Sequence, residues 1–298
     1  MSRRVLVVTH SGREEAVAAT AEAVKALEGA GFTPVLAADD SRAENVGVLE
    51  LAIVLGGDGT ILRAAELTRG LGVPLLGVNL GHVGFLAESE REDIGEAVQR
   101  LADGDYEVEE RGTLDVRVLL PGAETPVVGW ALNEATLEKG DAARMVEVAL
   151  EVDGRPLSTF GCDGIVVATS TGSTAHAFSA GGPVVWPDVD GMILVPVAAH
   201  ALFARPLVVG PSSVLALEVV ARSPAHGVLI CDGRRRVDVP IGSRVEIRRS
   251  DVPVRLARLT QAPFADRLVH KFQLPVDGWR GRGGSPGRSS WRSVEREV

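Results

Sequence analysis

The sequence predicts an α/β N-terminal domain, an open parallel sheet with helices, followed by a β-rich C-terminal domain. One observation is the alternation of short β-rich runs with helical segments up to about residue 104, the spacing of βαβ units. A second is the change of rhythm from about Tyr106, where β-rich runs follow one another across turn residues with little helical periodicity between them. A third is Leu51-Ala-Ile-Val-Leu55, an apolar run that reads as a fully buried strand and breaks directly into Gly56-Gly-Asp-Gly59.

Val5 to Val8 reads as the first strand, ending at Thr9-His-Ser-Gly12. An Ala-rich helix follows from about Glu14 to Glu28, closed by Gly29 and Gly31. Pro34 to Ala37 is the second strand, Leu51 to Leu55 the third, Thr60 to Thr68 a helix and Pro74 to Val78 the fourth strand. That strand runs into Asn79-Leu-Gly-His-Val-Gly-Phe-Leu86. Loops at strand ends of an open parallel sheet lie along one edge, so this one can face Gly56–Gly59 across a crevice. Glu90 to Leu101 reads as a helix stopped by Asp103-Gly104, and the boundary falls near residues 104 to 110. Beyond it, Leu114 to Leu120, Val127 to Leu132, Val146 to Val152, Ile165 to Ala168, Val214 to Val220, Val228 to Ile230 and Arg244 to Arg248 read as strands. Pro121-Gly, Asp153-Gly and Asp232-Gly are turns between them. Phe264 to Phe272 has apolar residues at helical spacing and is expected to pack back on one domain. The expected division is 1–107 with the returning segment 262–276, then 108–261, with a Gly-, Ser- and Arg-rich disordered tail over 277–298.

With 298 residues, 45% of them hydrophobic, the chain is long enough for about two globular domains, and a 4% aromatic share leaves a core of Val, Leu and Ala. A net charge of -9 argues against a nucleic-acid binder. Cys162 and Cys231 are too few for a disulfide scaffold and point to a reducing compartment. Nothing basic flanks Cys162, so a buried structural thiol is expected there. The first apolar run is too short for a signal peptide, and Met192 to Val209 is broken by Pro196, His200, Arg205 and Pro206, so a cytoplasmic protein without membrane spans is expected. His10, His82, His200, His226 and His270 form no ligand pattern, and no structural metal is expected.

Three stretches carry chemistry. Glycines around Asp58 leave backbone N–H groups uncovered, so a phosphate chain can approach them and the helix N-terminus that follows. Asn133-Glu134 puts an amide and a carboxylate at the end of the Val127–Leu132 run. Asp163 and a strand lead into Thr169-Ser-Thr-Gly-Ser-Thr174, small hydroxyls that can hydrogen-bond a nucleotide or sugar without crowding it, or cap a helix near Ala175.

In that order and spacing the glycine loop, Asn133-Glu134 and Thr171-Gly-Ser-Thr-Ala175, with Gly77–Leu86 and Ser179-Ala-Gly-Gly-Pro183, resemble the NAD kinase family from the first strand to about residue 275. The resemblance implies phosphorylation of NAD to NADP at the 2′-hydroxyl of the adenosine ribose, with ATP or another donor such as polyphosphate and a divalent cation, Mg²⁺ or Mn²⁺. It implies an α/β domain, a β-rich NAD-binding domain and a homo-oligomer, dimer or tetramer, with neither nucleic acid nor membrane as partner. Carried over by position, Asp58 takes or orients the proton of the attacking hydroxyl, the chemistry phosphoryl transfer asks of an Asp. Gly56, Gly57 and Gly59 shape the loop against the phosphates, and Asn133 and Glu134 bind the dinucleotide ribose. Asp163, Thr171, Thr174, Ala175 and Ser179 line the NAD site, joined by Asn79, His176 and the aromatic Phe85.

The chain departs from the pattern where His176 replaces the usual Tyr, where Gly161-Cys162 replaces Arg-Gly, and where Asp232-Gly-Arg234 replaces Asp-Gly-Gln. An imidazole can still stack on adenine, so altered affinity is expected. A lipid or sugar kinase sharing the glycine loop, or a dinucleotide-binding regulator without turnover, are the alternatives. Lack of G-x-G-x-x-G after the first strand and of G-x-x-x-x-G-K-[ST] disfavours a dehydrogenase and a P-loop enzyme.

Overall fold

A computed structural model describes residues 3–9, 14–37, 47–81, 84–87, 89–90, 93–260 and 263–276. His10, His82 and the 277–298 segment expected to be disordered lie outside the described residues. β1 (Arg4–Thr9), β2 (Thr33–Leu36), β3 (Leu51–Leu55) and β4 (Leu75–Asn79) pair in parallel in the order β2-β1-β3-β4. With them stand α1 (Glu14–Gly29), α2 (Asp58–Thr68) and α3 (Ile94–Asp103). Because β3 is covered on both faces, every residue in it is apolar and buried. Val5, Val7, Leu51 and Ile53 pack with Ala19, Ala23 and Leu27 of α1 and Ala97, Val98 and Leu101 of α3. Leu6, Val8, Ala52 and Val54 pack with Ile61, Ala64, Ala65 and Leu67 of α2 on the other face.

Two expected helices shift. The second begins at Asp58 rather than Thr60, because Gly57 takes the extended cap conformation and its carbonyl already accepts from Thr60 and Ile61. The third begins at Ile94 rather than Glu90, since β5 (Ser89–Glu90) is drawn onto β4.

The remaining strands are β6 (Glu107–Leu119), β7 (Val127–Ala131), β8 (Glu134–Lys139), β9 (Val146–Val152), β10 (Arg155–Cys162), β11 (Gly164–Ala168), β12 (Met192–Val197), β13 (Leu207–Val209), β14 (Val214–Val219), β15 (Gly227–Cys231), β16 (Arg235–Val239) and β17 (Arg244–Arg258). β10-β9-β14-β17 continue the parallel sheet into an eleven-stranded whole, joined where Leu256 of β17 pairs Leu75 of β4, and β6 and β7 branch from β17. A six-stranded antiparallel sheet, β13-β12-β11-β8-β15-β16, packs against the antiparallel part. Val148, Leu217 and Ile247 of one sheet meet Leu137, Val167 and Leu229 of the other. Its back face, Val166, Ala168, Ile193 and Val195, is covered by Ala177 of the short α4 (His176–Ser179). Asp153 (φ 52) and Gly154 (φ 72), like Asp232 (φ 52) and Gly233 (φ 67), turn their hairpins in the left-handed region, as the Asp-Gly pairs predict.

Here too the expected strands need correction. β7 stops at Ala131, and Glu134 opens β8 rather than closing the preceding run. β6 and β17 are far longer than Leu114–Leu120 and Arg244–Arg248, because a bulge between Ser250 and Val254 lets the ladder resume down to Glu107↔Arg258. α5 (Phe264–Phe272) spans the residues its periodicity predicts.

Candidate active site

The glycines of the loop after β3 have separate reasons. Gly56 has φ +151, and a Cβ there would lie 2.6 Å from Thr60 Oγ1, so the turn itself demands glycine. Among the described residues, a Cβ on Gly57 or Gly59 would meet nothing within 4 Å over the start of α2. Asp58 accepts from the N–H of Phe85 through Oδ2 at 3.1 Å and from that of Leu86 through Oδ1 at 3.0 Å. The expected meeting of the two glycine loops therefore occurs through Asp58. Gly84 is required for it, because a Cβ there would stand 2.4 Å from Asp58 Oδ1. Asn79 is buried at the end of β4. The ring of Phe85 is turned inward, 5.9 Å from both Phe264 and Phe272 of α5.

The second half of the site lies between β7 and β8. Asp232, buried in the β15–β16 turn, accepts from the N–H of Leu132 at 3.0 Å and of Asn133 at 2.7 Å. Thr169 Oγ1 donates to Leu132 O at 2.6 Å and accepts from Gly172 N at 3.1 Å, tying the hydroxyl-rich loop to the Asn133-Glu134 turn. A Cβ on Gly172 would fall 2.0 Å from Asn133 O, so the 3₁₀ turn Thr171–Thr174 sits directly on this backbone. Glu134 is buried, and its Oε2 has no hydrogen-bond partner among the described residues. Burial and the neighbouring charge of Asp232 push its carboxyl up to about 7, against the backbone N–H of His176. Burial pushes the Asp232 carboxyl up as well, opposed by the N–H of Leu132, the charge of Arg235 and the N–H groups of Asn133 and Glu134.

Leu132 packs with Ile61, Leu62 and Leu86, which brings the Asn133-Glu134 turn beside α2 and the Asp58 loop. Thr171 is buried, Thr174 bonds back to Thr171 O at 3.3 Å, Ala175 precedes α4 and Ser179 ends it, and His176 Nδ1 lies 3.4 Å from Thr136 Oγ1. Asp163 is not gathered with them. It precedes β11 while Thr171 follows it, and a strand of that length separates its ends by roughly 17 Å; Asp163 instead pairs Lys139 Nζ at 2.7 Å. The sequence carries no signal for Arg235, Arg258 and Arg267; it marks Thr169 as one of the loop hydroxyls and Asp232-Gly as a turn and a family position, but not their hydrogen bonds to the Asn133-Glu134 turn. Cys162 and Cys231 are buried free thiols, pushed up to about 12 and about 11 chiefly by burial, hence unreactive.

An α/β domain that presents a glycine-bounded carboxylate at a helix start to a β-rich domain is the architecture of a nucleotide phosphotransferase. The profile described as ATP-NAD kinase N-terminal domain matches residues 7–106, and that described as ATP-NAD kinase C-terminal domain matches 132–259. An NAD kinase of Leifsonia xyli is 57% identical over 95% of this chain and 98% of its own length. One of Thermobifida fusca is 56% identical over 94% and 92%. An NAD kinase from Archaeoglobus fulgidus, solved with ATP, superposes with a TM-score of 0.70 at 28% identity over 92% of this chain and 99% of that one. A yeast NADH kinase solved with NADH shares the fold, with a TM-score of 0.86 at 19% identity over 94% and 90%. The chain belongs to the NAD kinase family.

Proposed function

We propose that this chain transfers the terminal phosphoryl group of ATP to the 2′-hydroxyl of the adenosine ribose of NAD. The observation that carries the reading is Asp58, fixed through both oxygens at the N-terminus of α2 beneath uncrowded Gly57 and Gly59. Each oxygen keeps a lone pair beyond its N–H bond, so the carboxylate can still accept the proton of a hydroxyl. As that proton moves to Asp58, O2′ forms its bond to the γ-phosphorus and the β,γ-bridging P–O bond breaks, releasing ADP. The uncovered N–H groups and positive end of α2 suit the phosphates, and Asn133 with Glu134 offers an amide and a carboxylate to ribose hydroxyls. Among the described residues no three His, Cys, Asp or Glu come together as a metal site. A divalent cation, Mg²⁺ or Mn²⁺, bound to the phosphates of ATP would neutralise the charge that phosphoryl transfer has to stabilise.

The reading takes 1–107 with 262–276 as the phosphate-side domain and 108–261 as the NAD-side domain, a division supported by the change from parallel to antiparallel pairing where β17 meets β4. It also makes the chain a homo-oligomer, which the resemblance to the family implies. Cytoplasm, where NAD and ATP are available and the thiols of Cys162 and Cys231 stay reduced, is the compartment it implies; no helix among the described residues is long and apolar enough to cross a membrane. The test is a coupled assay with NAD, ATP and Mg²⁺, in which an NADP-specific dehydrogenase reports product, with NADH and polyphosphate in parallel. Asp58→Asn should lower kcat by on the order of 10²–10⁴-fold with NAD affinity little changed. Near-normal turnover of that variant removes Asp58 from this role, and saturable NAD binding without product from any donor would mean a regulator.

A further inference from the structure

We propose that Arg267 of α5 is a positioning residue for phosphoryl transfer, acting on Asp58 through one peptide group of the facing loop; this rests on Asp58 being the carboxylate at the attacking hydroxyl. The Phe85–Leu86 peptide is held from both sides. Its N–H, that of Leu86, donates to Asp58 Oδ1 at 3.0 Å, and its carbonyl, Phe85 O, accepts from Arg267 Nη1 at 2.8 Å. Rotation of that peptide breaks both bonds together. A cationic donor on the carbonyl also draws electron density from the N–H and strengthens its bond to the carboxylate.

The surroundings leave this peptide little freedom. The next carbonyl, Leu86 O, accepts from Arg258 Nη1 at 3.0 Å. Arg258 Nε reaches Glu109 Oε2 at 2.5 Å, and Arg111 Nη2 reaches Glu109 Oε1 at 2.8 Å. The loop is therefore backed by an ion cluster on β6 and β17 and fastened from its other neighbour by α5. Phe264 and Phe272 set that helix against Phe85, while Phe272 also stacks on Phe178 of α4 at 4.7 Å. The helix α5 thus orients the carboxylate at the start of α2 through the Phe85–Leu86 peptide.

The experiment compares Arg267→Ala and Arg267→Lys, each alone and with Asp58→Asn, by single-turnover and steady-state NADP formation, NAD calorimetry and thermal melts. Arg267→Ala should lower kcat by about 10–100-fold, the size of a small misplacement of a reacting group, with KM for NAD within about twofold. Arg267→Lys, which returns a cation to the carbonyl without the planar fork, should recover a large part of the loss. In the Asp58→Asn background, Arg267→Ala should change the residual rate by less than about twofold, because coupled residues are not additive. An equal fold-loss in both backgrounds, a raised KM with unchanged kcat, or a kcat within about twofold of the parent overturns the proposal. If Arg267→Ala does not fold, Arg267→Lys carries the same comparison through its partial loss. Near-normal turnover of Asp58→Asn alone would instead sink the reading on which the proposal rests.

Discussion

Glu134 shows how a single residue is held against its own stability. Its carboxyl, pushed up to about 7 by burial beside Asp232, keeps a proton in the folded state that the unfolded chain releases near 4.5. The stabilisation from this proton is fully present below the unfolded value and is lost as pH rises through about 7, a swing of on the order of 3 kcal/mol. Glu134→Gln needs no proton to stay neutral, so its stability should pull ahead of the parent between pH 5 and 8 while the two converge near pH 4. Urea titrations at those pH values measure the gap, and parallel stability profiles would show that Glu134 is not the titrating group. The same substitution should weaken NAD binding above pH 7, where a charged carboxylate is the better acceptor for ribose hydroxyls. A buried, incompletely bonded carboxylate is the kind of group a site retains at a cost in stability.

At the scale of the element, the glycines around the start of α2 differ in what their backbones require. Gly59 lies within the helix, and a Cβ added there would meet nothing within 4 Å, so Gly59→Ala should raise helix stability by up to about 1 kcal/mol. If the phosphates of ATP approach this turn as proposed, it should nonetheless lower kcat and raise KM for ATP, because the added methyl would stand in their way; a melt and ATP kinetics on one preparation decide this, and unchanged kinetics would free Gly59 from that role. Gly56→Ala, with φ +151 and Thr60 Oγ1 in the way, should destabilise instead, by about 1–3 kcal/mol. The sequence shows one glycine-rich loop, and only backbone angles and neighbours tell its members apart. Legibility elsewhere follows the same physics. β3, α5 and the Asp-Gly turns rest on local periodicity and turn chemistry, and these are legible in the sequence. β10 and β16 are not, because exposed and charged residues interrupt their alternation, as in Arg235–Val239, and neither is β8, where charged Glu134, Glu138 and Lys139 stand in a buried or half-buried strand; their identity comes from pairing partners distant in sequence. Asp163 does precede a strand as its sequence context indicates, but which end of a strand faces a site is a property of topology.

Across the whole molecule, the parallel and antiparallel parts share a strand pair, an apolar cluster in which Leu132, Val254 and Leu256 pack with Ile61, Leu62 and Leu86, and beside it a seam of charges. Glu66, near the end of α2, meets Arg63 at 2.9 Å and Arg234 and Arg235 at 3.3 Å from the β15–β16 turn. Arg235 also donates to Asp232 Oδ2 at 2.5 Å and lies 4.3 Å from the centroid of Trp130, over which Arg69 lies at 4.5 Å. Arg69 goes on to Asp115 of β6 and Ser250 of β17. The helix that begins with Asp58 is therefore tied at its far end to the carboxylate that holds the backbone of Asn133. Arg235→Ala should lower stability by about 1–3 kcal/mol, the worth of hydrogen bonds to charged groups. It should also raise KM for NAD more than KM for ATP, since it loosens Asp232 and the Asn133-Glu134 turn and leaves the Asp58–Phe85–Leu86 contacts in place. Arg235→Lys keeps the charge and loses the flat stack on Trp130, so it should fall between the two. Arg222→Ala, at a side chain 73% exposed and paired to Glu147 at the surface, sets the baseline and should stay within about 0.5 kcal/mol of the parent. If Arg235→Ala melts like Arg222→Ala, the seam carries no stability; if it raises both KM values alike, the coupling runs through the whole fold and not through the Asp232 turn.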